Sequence, residues 1–330
     1  MRDEEKEDKS FIPHPSSLIP RPAALIPKIR RALRGEVNVP AAAIETLRRA
    51  RVSLGRRRER AMLNQLDASP VRLRPQYARL SPSELLDHFR RRAEPRFLPG
   101  FDASNLETTV RLQRELFAGE TQMLLARAER IVEHHRWQLM GYGERDFGEK
   151  IDWLRDPLSG FDWPPEYHGD VQIARHDGSD VRVLWELNRL AHLVTLGRAY
   201  VLTNDERYTR EFFAQLESWT RQNPVARGAN WVCAMEVALR ATNLLAAFEL
   251  FRRSPLLDEE RLMRLLALFS NHAEHIRRNL EFSYIWTSNH YLSDVVGLLW
   301  LGIGLPELRR AGAWRDFGLR EMLREMDKQV

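Results

Sequence analysis

The residues with the clearest chemical potential are Ser288, Asn289 and His290, which lead into the apolar run Val295-Val296-Gly297-Leu298-Leu299-Trp300-Leu301. A helix that is apolar around its whole circumference belongs in an interior, yet the first turn of this one carries an amide and an imidazole. Buried polar groups require partners. A helix N-terminus has free N–H groups and the positive end of its dipole, so Asn289 and His290 stand where a carboxylate is naturally received. The same residues also suit a helix cap followed by a hydrogen-bonded core histidine, and the pattern alone leaves both readings open.

Other chemistries find little support. No G-x-x-x-x-G-K-[ST], G-x-G-x-x-G or G-x-S-x-G occurs. His272 and His275 are three apart, which is not the H-E-x-x-H spacing, and no third ligand is evident near them in sequence. His134 and His135 point to different faces of a helix and read as surface residues. The single cysteine, Cys233, excludes an internal disulfide framework and a multi-thiolate centre. We therefore expect neither metal nor cofactor.

Four segments make up the chain around these groups. Residues 1–40 alternate charge clusters with prolines and read as a loosely ordered basic leader. Residues 41–140 form an N-terminal helical segment, with helices expected near 41–66, 81–93 and 104–138. Residues 141–180, with Trp153, Trp163, Pro164, Pro165 and Tyr167, read as an aromatic, turn-rich connection. From 181 to 330 the spacing is helical: Leu184, Leu187, Ala191, Val194 and Val201; Tyr208, Phe212, Leu216 and Trp219; then Leu262, Leu265, Leu266, Phe269, Ala273, Ile276 and Leu280. Thr203 with Glu206 fits a capping box, and Asp258 and Ser288 fit later N-caps. Successive antiparallel helices with short turns predict hairpins around a common centre. The stripe Leu319, Met322, Leu323, Met326 and Val330 runs to the last residue with no terminator, so the chain is expected to stop inside a helix as a piece of a longer protein.

Charge points to an acidic partner. The chain carries a formal +5, and residues 21–60 alone hold twelve Lys/Arg against Glu36, Glu45 and Glu59. A solvated basic helix face or a surface for nucleic acid, anionic membrane or anionic polysaccharide all fit that excess. No run approaches the roughly 18 to 20 apolar residues of a membrane span. The opening MRDEEKEDKS shows no secretory signal, and localisation stays open.

Four motifs narrow the choice: Trp185-Glu186-Leu187-Asn188-Arg189; Asn230-Trp231 leading through Met235-Glu236 to Leu239-Arg240; Ser288-Asn289-His290; and Leu305-Pro306-Glu307. In order and spacing they resemble the helical domain of the heparinase II/III family of polysaccharide lyases, well over 150–330 and weakly before. The resemblance implies an all-α, incomplete (α/α) toroid, followed in the family by an antiparallel β-sandwich domain. It implies an acidic, uronic-acid-containing polysaccharide as partner, with no nucleic acid and no cofactor. Asn289 and His290 match the family's Asn-His pair, which neutralises the uronate carboxylate. The family's catalytic Tyr and a sandwich His would lie beyond Val330, so this chain is expected to bind substrate with little activity of its own. Around the pair, Trp163, Trp231, Trp286 and Tyr291 are candidates to stack on sugars, Arg182, Arg189 and Arg240 to meet anions, and Asn230 to contact substrate. A toroid glycoside hydrolase using Glu186, Glu236 or Asp294, and a noncatalytic glycan-binding or exopolysaccharide assembly module, remain alternatives.

Overall fold

The computed structural model describes residues 39–67, 70–102, 104–283 and 288–329. Helix α1 spans Val39–Ala61 and is followed by the short turns α2 (Leu63–Leu66) and α3 (Pro75–Ala78), then α4 (Pro82–Arg91), α5 (Leu106–Leu116) and α6 (Ala118–His134). A hairpin of β1 (Arg136–Leu139) and β2 (Gly143–Asp146) interrupts the helices. The main body then follows as α7 (Val181–Asn188), α8 (His192–Thr203), α9 (Glu206–Gln222), α10 (Ala234–Phe251), α11 (Glu259–Arg278), α12 (Asn289–Gly304) and α13 (Ala311–Gln329). Beyond residue 146 no further named strand occurs among the described residues.

Composition sorts these helices into layers. Helices α8, α10 and α12 are apolar on nearly every side, whereas α9, α11 and α13 carry charged outer faces. The contacts agree: α8 packs on α10 and α10 on α12, while α9, α11 and α13 each pack on the helix that precedes them. Helix α6 extends the row by packing on α8. Hairpins standing side by side with their apolar members adjacent make an incomplete (α/α) toroid, as the motifs imply. Val237, Ala241, Leu244 and Leu245 of α10 are fully buried, and each large apolar side chain so buried stabilises the fold by about 1.5–3 kcal/mol. None of these helices is long and apolar enough to cross a membrane.

Helix α12 is held unusually close. A Cβ at Gly297 would lie 2.7 Å from Cβ of Ala238 on α10, and one at Gly302 would lie 2.4 Å from the Arg315 backbone nitrogen on α13. On the other side of the α12–α13 contact, a Cβ at Gly318 would meet the Leu299 nitrogen at 2.8 Å. Backbone thus approaches backbone on two flanks of α12.

Several local expectations shift. The helix expected over 104–138 breaks at Phe117 and ends at His134, because His135 takes a left-handed conformation (φ 46°). Its ring bonds the Gly148 carbonyl at 2.6 Å and Glu211 at 3.0 Å, which fixes the turn into β1 and gives the ring a structural post. The N-cap of α9 is Asp205, whose side chain accepts from the Arg207 N–H; Thr203 instead donates back to the Ala199 carbonyl. Asp258 and Ser288 cap α11 and α12 as expected. The connection over 141–180 is ordered by its aromatics: Trp153 and Trp163 are almost wholly buried, and Asp156 gathers the Leu158, Ser159 and Asp180 N–H groups. Glu307, from the last of the four motifs, is a buried anchor. It accepts from Arg92 at 2.9 Å and meets His88 at 2.8 Å, tying α4 to the toroid.

Candidate functional site

Helix α12 begins where its cap leaves it most polar. Ser288 accepts from the His290 N–H at 3.3 Å, Asn289 is exposed, and His290 is half-buried. The imidazole Nδ1 of His290 lies 2.5 Å from Oε2 of Glu281. Its Nε2 makes no hydrogen bond among the described residues. Glu281 stands in the irregular stretch after α11 and collects further donors: the Cys233 thiol at 3.1 Å and the Met235 N–H at 3.3 Å, both at the start of α10. Its own N–H donates to Asp294 at 2.7 Å, one turn into α12. Three elements therefore converge on one carboxylate.

The electrostatics follow from these bonds. The hydrogen bond to Glu281 raises the His290 pKa above its ordinary 6.5 against the opposing effect of burial, and the charges of Glu281 and Glu236 add to it. Burial works to raise Glu281, but His290, Cys233 and the Met235 N–H hold it below the usual carboxylate range. Burial and the adjacent Glu281 charge push Asp294 well up, so it is retained as the neutral acid; its Oδ1, with no hydrogen-bond partner, is a place for that proton. Cys233 is pushed up by burial and by the charges of Glu281 and Glu236, which keeps it a thiol that donates to Glu281. Cys233, Glu281 and His290 lie close enough to share an ion, but each facing atom is already taken, since the thiol and the imidazole Nδ1 both bond Glu281. The set is one cationic donor, His290, whose far nitrogen is turned away from its carboxylate.

A second network adjoins the first. Arg189 clamps Glu236 through two 2.8 Å bonds and also pairs with Glu186, which in turn accepts from the Met140 N–H of the β1–β2 turn. Glu236 is the carboxylate whose charge reaches both Cys233 and His290.

The family model described as "Heparinase II/III N-terminus" matches residues 69–330. The chain belongs to the heparinase II/III family. Curated relatives include a heparin-sulfate lyase of Pedobacter heparinus, 27% identical over 251 residues, and one of Bacteroides stercoris, 26% identical over 268 residues. Each alignment covers 74% of this chain but 33% and 34% of the relative, so the chain spans about a third of their length. Among solved structures, the heparan sulfate lyase HepC from Pedobacter heparinus matches with a TM-score of 0.56 at 24% identity, over 76% of this chain and 35% of that one. The heparinase III BT4657 gene product matches with a TM-score of 0.55 at 22% identity, over 76% and 35%. These likenesses carry the helical fold.

Within this heparinase II/III member, the residues singled out by sequence divide into two groups. Asn289 and His290 sit together at the start of α12, and Arg189 is partly exposed and bonded to Glu236, whose charge reaches His290. Asn230, Trp231 and Arg240 lie in the interior at 0%, 0% and 1% exposure and do not present side chains to solvent. Arg240 donates to the Asn230 carbonyl and to His272, both at 3.0 Å, and its guanidinium lies between the Trp219 and Trp231 rings. Burial lowers its pKa to about 9. The Asn230 amide bonds Asn223 at 2.8 Å and the Trp153 carbonyl at 3.2 Å. This trio pins the 3-10 turn Ala229–Trp231 that delivers Cys233 to Glu281. Trp163 is likewise buried, and Arg182 is paired with its own helix cap, Asp180. Tyr291 is 2% exposed and donates to Glu321 at 3.2 Å, while burial pushes its hydroxyl pKa upward. Trp286 lies outside the described residues. Glu281, the hub of the site, belongs to none of the four motifs; an acidic residue nine positions before the histidine is the one trace it leaves in sequence.

Proposed function

We propose that this chain is the substrate-binding, charge-neutralising part of a polysaccharide lyase that cleaves uronic-acid-containing glycans by β-elimination. The observation that carries the reading is exposed Asn289 beside half-buried His290 at a helix N-terminus, with His290 Nδ1 bonded to Glu281 at 2.5 Å. In the reaction a base takes the C5 proton, the C5–H electron pair becomes the C4=C5 double bond, and the C4–O4 bond breaks as O4 gains a proton. Negative charge develops on the C6 carboxylate at the moment the C5 proton leaves. The Asn289 amide, His290 Nε2 and the free N–H groups of α12 are donors suited to that charge. Glu281 keeps His290 protonated without occupying the nitrogen that would face substrate. The names of the relatives favour a heparin- or heparan-type glycan. Tyr291 is buried and committed to Glu321, so the base and acid of the reaction are not drawn from it.

The hydrolase alternative loses its carboxylate pair. Glu186 and Glu236 are both tied to Arg189 and Asp294 is fully buried, so none of these three is a carboxylate free to face a partner across a cleft.

The test uses the full-length protein and follows the ultraviolet absorbance of the unsaturated product. Asn289→Ala should lower kcat by about 100- to 1,000-fold, the loss associated with one oxyanion donor, with a much smaller change in substrate affinity. His290→Ala should do the same. Variants that lose thermal stability but keep near-normal kcat would make the pair a structural cap. Release of plain reducing ends would replace elimination with hydrolysis, and binding without turnover in the wild type would favour a glycan-binding module.

A further inference from the structure

Three side chains from distant parts of the chain meet at the opposite end of the Ala229–Trp231 turn: Glu59 of α1, His168 of the aromatic connection and His275 of α11. All are buried, and one potential ligand atom from each lies within 4.8 Å of the others. His275 Nε2 donates to the Trp231 carbonyl at 2.8 Å, and its Nδ1 is buried without a hydrogen-bond partner among the described residues. A ring with Nε2–H committed to a carbonyl presents a bare lone pair at Nδ1, the orientation that second-shell carbonyls impose on metal-binding imidazoles. Left alone, such a buried acceptor is destabilising. His168 Nε2 is 3.0 Å from Oε2 of Glu59, and Tyr167 donates to the same oxygen at 3.0 Å. A cavity of about 240 Å³ opens onto Glu59 and His275.

We propose that Glu59, His168 and His275 bind a divalent transition-metal cation of the zinc type, with a fourth position open to water from this cavity. Two imidazoles and one carboxylate suit zinc and its neighbours and do not suit calcium or magnesium, which take all-oxygen sets. Ligands about 2.0–2.2 Å from such an ion stand roughly 3.3–3.5 Å apart in a tetrahedron, so atoms that lie within 4.8 Å of one another would draw in by at most about 1.5 Å. On entry the ion takes the Nε2 lone pair of His168, whose proton moves to Nδ1, and Glu59 stays ionised throughout. The ion would clamp α1, the aromatic connection and α11 together. His272 takes no part, because its Nε2 accepts from Arg240.

The test is metal titration of chelator-treated full-length protein, using Zn2+ by calorimetry and Co2+ by visible absorption. One equivalent should bind, giving the d–d bands of a four-coordinate nitrogen/oxygen site and raising the thermal unfolding midpoint. His168→Ala and His275→Ala should each weaken binding at least 100-fold, and Glu59→Gln, which keeps the size of the side chain, should do so in a protein whose circular dichroism matches wild type. Cys233→Ser should leave binding unchanged. Absence of saturable binding, binding that survives the Glu59→Gln and histidine changes, or binding lost with Cys233→Ser would each overturn the proposal.

Discussion

Replacing Glu281 by Gln isolates what the carboxylate does for His290. The amide keeps the shape and one acceptor for the 2.5 Å contact but removes the negative charge. A hydrogen bond between charged partners contributes about 1.5–3 kcal/mol and a neutral one about 0.5–1.5, so the change costs about 1–1.5 kcal/mol. The sign with pH follows from the two shifts. His290 has a raised pKa, so its contribution is full below its ordinary 6.5 and is lost as pH rises through the folded value. Glu281 has a lowered pKa, so its contribution is present above 4.5 and is lost as pH falls through the folded value. The thermal midpoint of Glu281→Gln should therefore fall furthest below wild type between pH 4.5 and 6.5, by about 2–4 °C per kcal/mol. Proton NMR of the His290 ring should show it titrating at lower pH than in wild type. In the complete enzyme, turnover near neutral pH should drop about tenfold, the factor carried by about 1.4 kcal/mol, and recover as pH is lowered. An unshifted His290 titration, or a loss of turnover equal at every pH, would refute the claim that Glu281 keeps His290 charged.

Two further substitutions test other parts of the same structure. Asp294→Asn should leave stability near neutral pH unchanged or slightly improved, because Asp294 is already uncharged. The folded-state pKa of Asp294 lies well above its ordinary 3.8, so wild-type stability declines as pH rises from 3.8 through the folded value, and the variant's advantage should widen with rising pH over that range; a constant gap would contradict a raised Asp294. Gly302→Ala places a Cβ 2.4 Å from the Arg315 nitrogen and 2.6 Å from the Ala311 oxygen. Such overpacking costs about 1–3 kcal/mol, and an unchanged circular-dichroism melt would show that α12 and α13 can part freely.

Helical periodicity was readable because the core is built from it: Tyr208, Phe212, Leu216 and Trp219 lie buried along one face of α9, and Leu262, Leu265, Leu266 and Phe269 along α11. Caps at Asp258 and Ser288 were readable because they depend on neighbours two or three residues away. What escaped depends on partners far along the chain. Arg240, Asn230 and Trp231 have the types of a ligand surface, and only the approach of Trp219, Asn223 and His272 turns them into a buried support. Glu281 meets Cys233 across 48 residues and His290 across nine, with no periodic relation to either. The β1–β2 hairpin hides behind a helix-forming stretch because one left-handed residue, His135, ends it.

The glycines along α12 also bear on how this site can diversify. With backbone against backbone at Gly297 and Gly302, the shaft of the helix has no spare volume in which to trade one side chain for a larger one. Changes that retune ligand preference must therefore accumulate at its exposed first turn and in the loops beside it. A lineage could alter what is grasped there while inheriting the axis of α12 almost unchanged, much as a lathe keeps its spindle and changes its tool.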